Sequence, residues 1–336
     1  MTRAVDVLIP CYNYGRFLRT CVHSVLSQQD VNVRVVIIDD ASVDSTPEIG
    51  AQLAAENSRV RFVRHSVNAG HIATYNEGME DWGHEYALLL SADDVLTPGA
   101  LRRATRLMEK HPEIGFVYGP AIPFHDEEAL PPFPDTAARS DVQVIQGERF
   151  IENLCTTTQN PIWTPTAVVR TALQRKLGGY RSDLPHAGDL EMWMRFAAHG
   201  AVGILDTYQA YYRLHSNNMN RSYAGVKDHK QRKAAFDSFF MTHGNQLRER
   251  ARLEVLVATQ LAQSAFWCAH KAWAQRQREE CRELLEFSIQ NCAGIGTTIE
   301  WSRFEWKRRL GNTALIAEPW VDLLRKYFRR YELSKS

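Results

Sequence analysis

The chain has 336 residues, of which 24% are charged and 44% hydrophobic, and this composition is typical of an ordinary soluble globular protein. No stretch reaches the roughly 18 consecutive apolar residues of a membrane-spanning helix. The six cysteines show neither CxxC pairing nor zinc spacing with histidine, which argues against a disulfide framework or a zinc site. We therefore expect a cytoplasmic protein with reduced thiols and no nucleic-acid partner.

The net charge of +1 conceals an asymmetry along the chain. Acidic residues outnumber basic ones up to Arg221, and basic residues are in excess after it. From Val226 onward the apolar pattern is helical, and from Trp301 aromatic residues alternate with Arg and Lys. We expect a domain of residues 1–221, followed by a helical extension of residues 222–336 formed by a bundle and a basic, Trp-rich tail.

The basic aromatic tail allows two interpretations. It suits peripheral contact with the inner face of a membrane, where a lipid-linked acceptor would lie. Helix packing or a homodimer would explain the same residues, and the sequence leaves both alternatives open.

The first hundred residues alternate between short apolar runs and segments with helical spacing. Four runs predict buried strands, namely 5–9, 33–38, 60–64 and 86–90, and Pro10 is expected to end the first. Helices are predicted after each, with Thr46 as the N-cap of the second and Pro98-Gly99 before the fourth. This order predicts an α/β fold, a mostly parallel sheet flanked by helices on both faces.

Acidic residues follow two of these strands at their carboxyl ends. Asp39 and Asp40 follow the second strand, and Ser91-Ala92-Asp93-Asp94 follows the fourth. Open α/β sheets bind ligands at this edge, and carboxylates there suit Mg²⁺ or Mn²⁺, which in turn bind a diphosphate. An isolated pair of aspartates is nevertheless more often a polar loop with a helix cap.

The glycine-rich signatures of phosphate binding are absent from the sequence. No GxGxxG follows the first strand and no GxxxxGK[ST] occurs, which disfavours a dinucleotide oxidoreductase and a P-loop NTPase. Further along, residues 120–142 predict a long irregular loop, 149–155 a short helix and 208–214 a strand. Asp189 lies in the first turn of a predicted helix, where an aspartate is more often a cap than a catalytic group.

Six motifs taken together resemble the inverting family 2 glycosyltransferases of GT-A (Rossmann-like) fold, which transfer a sugar from a nucleoside-diphosphate donor. They are IPCYN (9–13), VIIDDASVDST (36–46), NAGHIATYNEG (68–78), LLLSADD (88–94), GDLEMW (188–193) and YRLH (212–215). Each motif alone is weak, but their order along residues 4–217 is specific. A C-terminal helical extension would follow this catalytic domain.

The resemblance assigns the donor-binding residues. It implies that the nucleotide-sugar site is formed by Pro10, Tyr12, Asn13, Asp39, Asp40, Asn68, Gly70, Asn76, Ser91 and Asp94. Asp40 would accept a hydrogen bond from the base, with Asp39 supporting the loop. Because uracil and thymine carry an N3–H donor, a UDP- or dTDP-sugar is favoured, although guanine also presents N–H donors.

The resemblance also implies a divalent metal cofactor, Mn²⁺ or Mg²⁺, held by Asp93. His215 would assist as a metal or diphosphate ligand, although a polar histidine at the end of a strand is an equal alternative. Ser91 replaces the first carboxylate of the family's DxD element, and Asp94 lies close enough to compensate. Tyr75 stands where many relatives carry Arg, which removes a cation near the diphosphate.

Asp189 lies where the family places its catalytic base. Inversion requires one carboxylate to deprotonate the acceptor hydroxyl while it attacks the anomeric carbon. The sequence therefore predicts a metal-dependent transferase acting on a carbohydrate, lipid-linked or protein acceptor in bacterial-type polysaccharide or glycoconjugate synthesis. A non-catalytic nucleotide-sugar-binding protein is an alternative that Ser91 and Tyr75 permit. A nucleotidyltransferase is disfavoured, because IPCYNYGRFL lacks a glycine-rich basic loop.

Overall fold

The computed structural model describes residues 3–126, 129–134, 142–215, 218 and 223–310. Eleven strands are assigned within these ranges: β1 (Arg3–Cys11), β2 (Val31–Asp39), β3 (Val60–Arg64), β4 (Tyr86–Leu89), β5 (Val95–Leu96), β6 (Ile114–Tyr118), β7 (Ala121–His125), β8 (Val142–Ile145), β9 (Val168–Arg170), β10 (Ala201–Leu205) and β11 (Ala210–Leu214). Eight of them form one sheet in the order β3-β2-β1-β4-β9-β6-β10-β8, and β5-β11-β7 form a smaller one.

The large sheet is mostly parallel, as predicted. Strands β3, β2, β1 and β4 pair in parallel, and so do β6 and β10. Strand β9 runs antiparallel between β4 and β6, and β8 pairs antiparallel with β10. The carboxyl ends of β1, β2 and β4 therefore lie at one edge of the sheet.

Helices connect most of these strands. They are α1 (Gly15–Leu26), α2 (Thr46–Glu56), α3 (His71–Glu80), α4 (Ala100–Lys110), α5 (Gly147–Thr157), α6 (Thr171–Leu177), α7 (Gly188–Ala197), α8 (Val226–His243), α9 (Arg250–Ala274), α10 (Arg278–Asn291) and α11 (Ile299–Leu310). None of the helices in the described ranges is long and apolar enough to cross a bilayer.

The core is built on β1, whose side chains alternate between the two faces of the sheet. Val5, Val7 and Ile9 are fully buried and belong to the same apolar cluster as Leu18 and Val22 of α1. Each such side chain stabilises the fold by roughly 1.5–3 kcal/mol relative to an exposed one. On the opposite face, α3 approaches β1 so closely that a Cβ on Gly78 would lie 2.3 Å from Leu8 Cδ1.

Pro10 does not end the first strand, contrary to the prediction. It pairs in register with Ile38, inside β1. Leu8 accepts a hydrogen bond from Leu90 on the β4 side, whereas Cys11 accepts one from Asp40 on the β2 side. By this alternation the nitrogen of Pro10 faces the β4 side beyond the last paired residue of β4, so no ladder hydrogen bond is lost.

Two other local predictions were wrong. Residues 120–142 are not irregular throughout, because β7 forms within them and pairs in parallel with β11. The rest of that predicted loop includes positions outside the described residues. Thr46 is the first residue of α2 rather than its N-cap, and Asp44 accepts the hydrogen bonds of its amide and hydroxyl groups. In the described ranges all six cysteines are free.

The chain divides into two compact units, Met1–Val257 and Ala258–Ser336. This division lies within α9, later than the predicted domain boundary after residue 221. It places α8 in the first unit, where α8 packs against α7.

In the second unit, part of the predicted aromatic tail is helical core. The ring of Trp301 stacks on Phe266 at 5.4 Å, and Phe304 stacks on His270 at 3.7 Å. Helix packing thus accounts for Trp301 and Phe304. The basic aromatic segment from Trp320 to Phe328 lies outside the described residues.

Candidate active site

A cleft of about 1060 Å³ opens at the carboxyl ends of β1, β2 and β4. Most of the predicted site residues line it, namely Pro10, Tyr12, Asn13, Asp40, Asn68, Gly70, Ser91, Asp93, Asp94 and Asp189. Asp39, Asn76 and His215 do not line the cleft and instead contact residues that do. Residues far apart in the sequence thus meet at this edge of the sheet, as expected for parallel strands.

The loops after β1 and β2 are joined by side-chain hydrogen bonds. Asn13 has a left-handed backbone, its amide donates to Ser42 Oγ at 2.8 Å, and its Oδ1 accepts the Val43 amide at 2.9 Å. Asp39 is fully buried, where it accepts the Ser42 amide at 3.0 Å and pairs with Arg64 at 3.3 Å. The geometry therefore gives Asp39 contacts within the loop and leaves Asn13 fixed at the cleft.

Asp40 faces the cleft and organises the loop before α3. Its carboxylate accepts the amides of Ala69 at 2.7 Å and Gly70 at 2.9 Å, and lies 2.8 Å from His65 Nδ1. Burial alone would raise the pKa of Asp40, but these hydrogen bonds outweigh it and hold the pKa below its usual range. Gly70 has φ +83°, a conformation that favours glycine.

Asp93 and Asp94 lie against β11, which crosses the end of β4. Asp93 Oδ2 is 2.8 Å from His215 Nε2, and the Arg213 guanidinium donates to the Asp93 carbonyl at 2.9 Å. Asp94 Oδ1 accepts the Arg213 amide at 3.0 Å. Burial, followed by the charge of Asp93, raises the pKa of Asp94 well above its usual range.

Asp93 and His215 have two features that bear on whether they could bind a cation. Within the described part of the chain, Asp93 Oδ1 is buried and has no hydrogen-bond partner. The ring of His215 packs against Tyr14 and Phe17, with centroids 5.4 Å and 5.8 Å apart, which fixes its direction. A carboxylate oxygen with unused acceptor capacity thus lies beside an oriented imidazole.

Asp189 is on the first turn of α7. Its carboxylate accepts the Leu190 amide at 2.7 Å and the side-chain amide of Asn160 at 2.8 Å. Burial raises the pKa of Asp189 to about 6, and these two hydrogen bonds offset only part of that effect. A carboxylate with this pKa is ionised at neutral pH and more basic than an ordinary aspartate, as a general base should be.

Asn76 is held by the backbone of a distant turn rather than exposed to the cleft. Its Oδ1 accepts the Tyr180 amide at 2.7 Å and its Nδ2 donates to the Tyr180 carbonyl at 2.9 Å. Arg195 of α7 donates to the Gly179 carbonyl at 2.8 Å and pairs with buried Glu191 at 2.9 Å. Both polar atoms of the Asn76 side chain are thus hydrogen-bonded to Tyr180, whereas Tyr75, the preceding residue of α3, lines the cleft. The sugar-binding role of Asn76 stays a prediction.

Four cleft residues were missed as ligands or catalytic groups by sequence reasoning. They are Tyr75, Asn160, Trp163 and Tyr212. Burial and then the carboxylates of Asp94, Asp93 and Asp189, which line the same cleft, raise the pKa of Tyr212. The segment NPIWTPT (160–166) carried a signal, since prolines two positions before and after a tryptophan are unusual in a regular helix or strand.

The family model for glycosyl transferase family 2 matches residues 6–173, half of the chain. The chain belongs to glycosyl transferase family 2. The match extends from β1 to α6 and therefore includes the loops after β1 and β2 and Asp93 but ends before Asp189.

Two family relatives extend the similarity along the chain. An uncharacterised Mycobacterium tuberculosis protein is 28% identical over 204 residues, which are 59% of this chain and 63% of that protein. An uncharacterised glycosyltransferase of Haemophilus influenzae is 23% identical over 235 residues, which are 69% of this chain and 70% of that protein. The chain thus spans slightly less than two thirds of the mycobacterial relative.

Solved structures show the same fold. The crystal structure of S. aureus TarS 1–349 in complex with UDP-GlcNAc has a TM-score of 0.62 at 17% identity, covering 85% of this chain and 81% of that one. The mannosyltransferase PcManGT of Pyrobaculum calidifontis, in complex with GDP-Man and Mn²⁺, has a TM-score of 0.51 at 15% identity, covering 86% of each chain. The predicted GT-A fold is confirmed.

Proposed function

We propose that this protein is an inverting glycosyltransferase that moves a sugar from a nucleoside-diphosphate sugar to an acceptor hydroxyl. The observation that carries the proposal is the joint placement of Asp189, with its pKa of about 6, and the buried unpartnered oxygen of Asp93 in one cleft. The first supplies a base, and the second supplies a ligand for a donor-bound cation.

Asp189 acts as the base. It removes the proton of the acceptor hydroxyl as that oxygen attacks the anomeric carbon from the face opposite the leaving diphosphate. Leu190 and Asn160 direct the carboxylate through one hydrogen bond to each oxygen. A single carboxylate meets the requirements of inversion, whereas retention by a double displacement would require a nucleophile as well.

Asp93 and His215 would hold a divalent cation, Mn²⁺ or Mg²⁺. A carboxylate oxygen without a hydrogen-bond partner beside an imidazole fits the ligand preference of Mn²⁺. No group of three His, Cys, Asp or Glu side chains suited to a metal occurs in the described ranges, so donor oxygens are needed to complete the site. When bound, the cation stabilises the negative charge that develops on the departing diphosphate.

The lining of the cleft makes this cation important. Among the described residues that line it, Arg232 is the only Arg or Lys, and it pairs with Asp228 at 2.7 Å. Tyr75 presents a neutral hydroxyl where the family resemblance would place Arg. Little protein charge is therefore directed at the diphosphate, and we propose that transfer requires the metal.

The hydrogen bonds of Asp40 favour a nucleotide-sugar donor with a pyrimidine base. A carboxylate offers about four acceptor positions, and the two amides and His65 use three of them. The remaining position on Oδ2 can accept the N3–H of uracil or thymine, so a UDP- or dTDP-sugar is the proposed donor. Pro10, Tyr12 and Asn13 lie beside it in the same cleft.

The proposal is tested by measuring nucleoside diphosphate release from a panel of UDP-, dTDP- and GDP-sugars, with Mn²⁺, Mg²⁺ or EDTA. In separate reactions, pyrophosphate release is measured from nucleoside triphosphates mixed with sugar 1-phosphates. We expect UDP or dTDP release that requires a divalent cation and is abolished by Asp189→Asn, whereas Asp183→Asn, at an exposed carboxylate, retains the wild-type rate. Binding without release would instead identify a nucleotide-sugar-binding protein, and release of pyrophosphate from a nucleoside triphosphate would identify a nucleotidyltransferase.

A further inference from the structure

Trp163 is a large aromatic side chain exposed inside the cleft. It is 39% exposed and lines the cleft, and its ring centroid lies 4.5 Å from that of Tyr212, with the planes inclined at 56°. We call this pair the aromatic wall. Exposed apolar surface at a concave site commonly marks a place where a ligand binds.

The aromatic wall lies beside the proposed base. Trp163 belongs to the loop that follows α5, and Asn160 of the same loop donates to Asp189. Asn160 also accepts the amide of Ile162 at 3.0 Å, which fixes the backbone immediately before Trp163. The other member of the wall, Tyr212, belongs to β11 and lines the same cleft as Asp93, Asp94 and Asp189.

We propose that the aromatic wall is the acceptor subsite and that its ligand is the terminal sugar ring of a carbohydrate acceptor. The inference rests on the proposed transferase function and narrows its acceptor class. A pyranose presents one face of C–H groups, which packs on an aromatic ring, and a rim of hydroxyls, which require hydrogen bonds. The wall provides such a face, and Gln159, Asn160 and His186 line the same cleft as polar partners.

The position of the wall favours the acceptor over the donor nucleotide. The base-recognition side of the cleft is formed by Asp40 and the loop of Asn68 and Gly70. The wall contacts neither of these loops through a ring interaction and is linked through Asn160 to Asp189, the group that must touch the acceptor hydroxyl. A lipid tail would require a continuous apolar channel, whereas carboxylate, amide and imidazole groups line the cleft that contains the wall.

The test measures sugar binding apart from catalysis. Chitobiose, cellobiose and maltose are titrated against the full chain and detected by saturation-transfer NMR, using wild type, Trp163→Ala, Trp163→Phe and Trp267→Ala. The last is the matched control, because Trp267 is 57% exposed on α9 and does not line the cleft. We expect at least one disaccharide to bind wild type. Its affinity should fall at least about tenfold in Trp163→Ala and change less than about threefold in Trp163→Phe and Trp267→Ala.

Steady-state kinetics complete the test, using as donor the nucleotide sugar from which the panel assay detects nucleoside diphosphate release. In Trp163→Ala the KM for the disaccharide should rise at least about tenfold, while the donor KM changes less than about twofold. Absence of disaccharide binding to wild type, equal binding by Trp163→Ala, or a parallel rise in the donor KM would each overturn the inference. Because NMR binding needs no turnover, failure of the transferase reaction is detected separately.

Discussion

Replacing Asn160 with alanine removes the side-chain hydrogen bond to the proposed base, together with the hydrogen bond that Asn160 Oδ1 accepts from the Ile162 amide. The Asn160 side-chain amide donates to Asp189 Oδ2 at 2.8 Å, and the Leu190 amide continues to donate to Oδ1 in the variant. A hydrogen bond to a charged group contributes about 1.5–3 kcal/mol, and one pKa unit corresponds to about 1.4 kcal/mol. Since this bond favours the ionised carboxylate, its loss should raise the pKa of Asp189 by about 1–2 units.

The pH dependence of kcat/KM measures this shift. In wild type the rate should fall with decreasing pH through the Asp189 pKa of about 6, because protonation removes the base. In Asn160→Ala the same acidic limb should move to roughly pH 7–8. The kcat/KM of the variant should therefore fall furthest below that of wild type at pH 6 and approach the wild-type value at alkaline pH. Asn153→Ala, at an exposed asparagine of α5, is the control and should leave the profile unchanged.

The profile separates this explanation from a general loss of structure. A distorted loop would lower kcat/KM by the same factor at every pH and leave the acidic limb near 6. That result, or a limb that moves to lower pH, would refute the assignment of the hydrogen bond as a determinant of the base.

Three further outcomes follow from the structure. Asp189→Asn should reduce transfer by about 10²–10⁴-fold, with UDP affinity by calorimetry little changed; a rate near wild type would exclude it as the base. Asp93→Ala should abolish the increase in UDP affinity caused by Mn²⁺, measured by the same titration with and without the metal, and an undiminished Mn²⁺ effect would place the cation elsewhere. Gly147→Ala should lower the free energy of unfolding in urea by about 3 kcal/mol, because its Cβ would lie 1.7 Å from the Ala197 carbonyl oxygen; unchanged stability would contradict this packing.

The sequence predicted the parts of the fold that depend on local pattern. Strands β1 and β2 are mostly buried runs rich in Val and Ile, each interrupted by a charged residue (Asp6 and Arg34), and α1 has apolar residues at helical spacing. Each could therefore be recognised without its neighbours. The strand-end loops could be brought together by topology alone, because parallel strands place their carboxyl ends at one edge. This is why Asp40, Asp93 and Ser91 were predicted to share a site and do line one cleft.

The remaining parts of the site depend on contacts that no local pattern records. The predicted ligand Asn76 pairs with Tyr180, about a hundred positions away, and nothing in either segment indicates this partner. Asn160 and Trp163 belong to a loop without periodicity. Its position depends on tertiary contacts such as the hydrogen bond from Asn160 to Asp189 of α7. Strand β7 was missed for a similar reason, since it is paired only with β11, almost ninety residues later.

The two hydrogen bonds between Asn76 and Tyr180 have a consequence for the comparison of related chains. An asparagine amide presents a donor and an acceptor side by side, and here both are used by the backbone of one residue. Aspartate lacks the donor, and leucine lacks both groups. Among relatives, position 76 should therefore vary together with the length and conformation of the 177–180 turn and remain indifferent to the donor sugar. An asparagine at position 76 of a relative should therefore indicate the same connection between α3 and the 177–180 turn. Residues that determine sugar specificity should be sought at other positions.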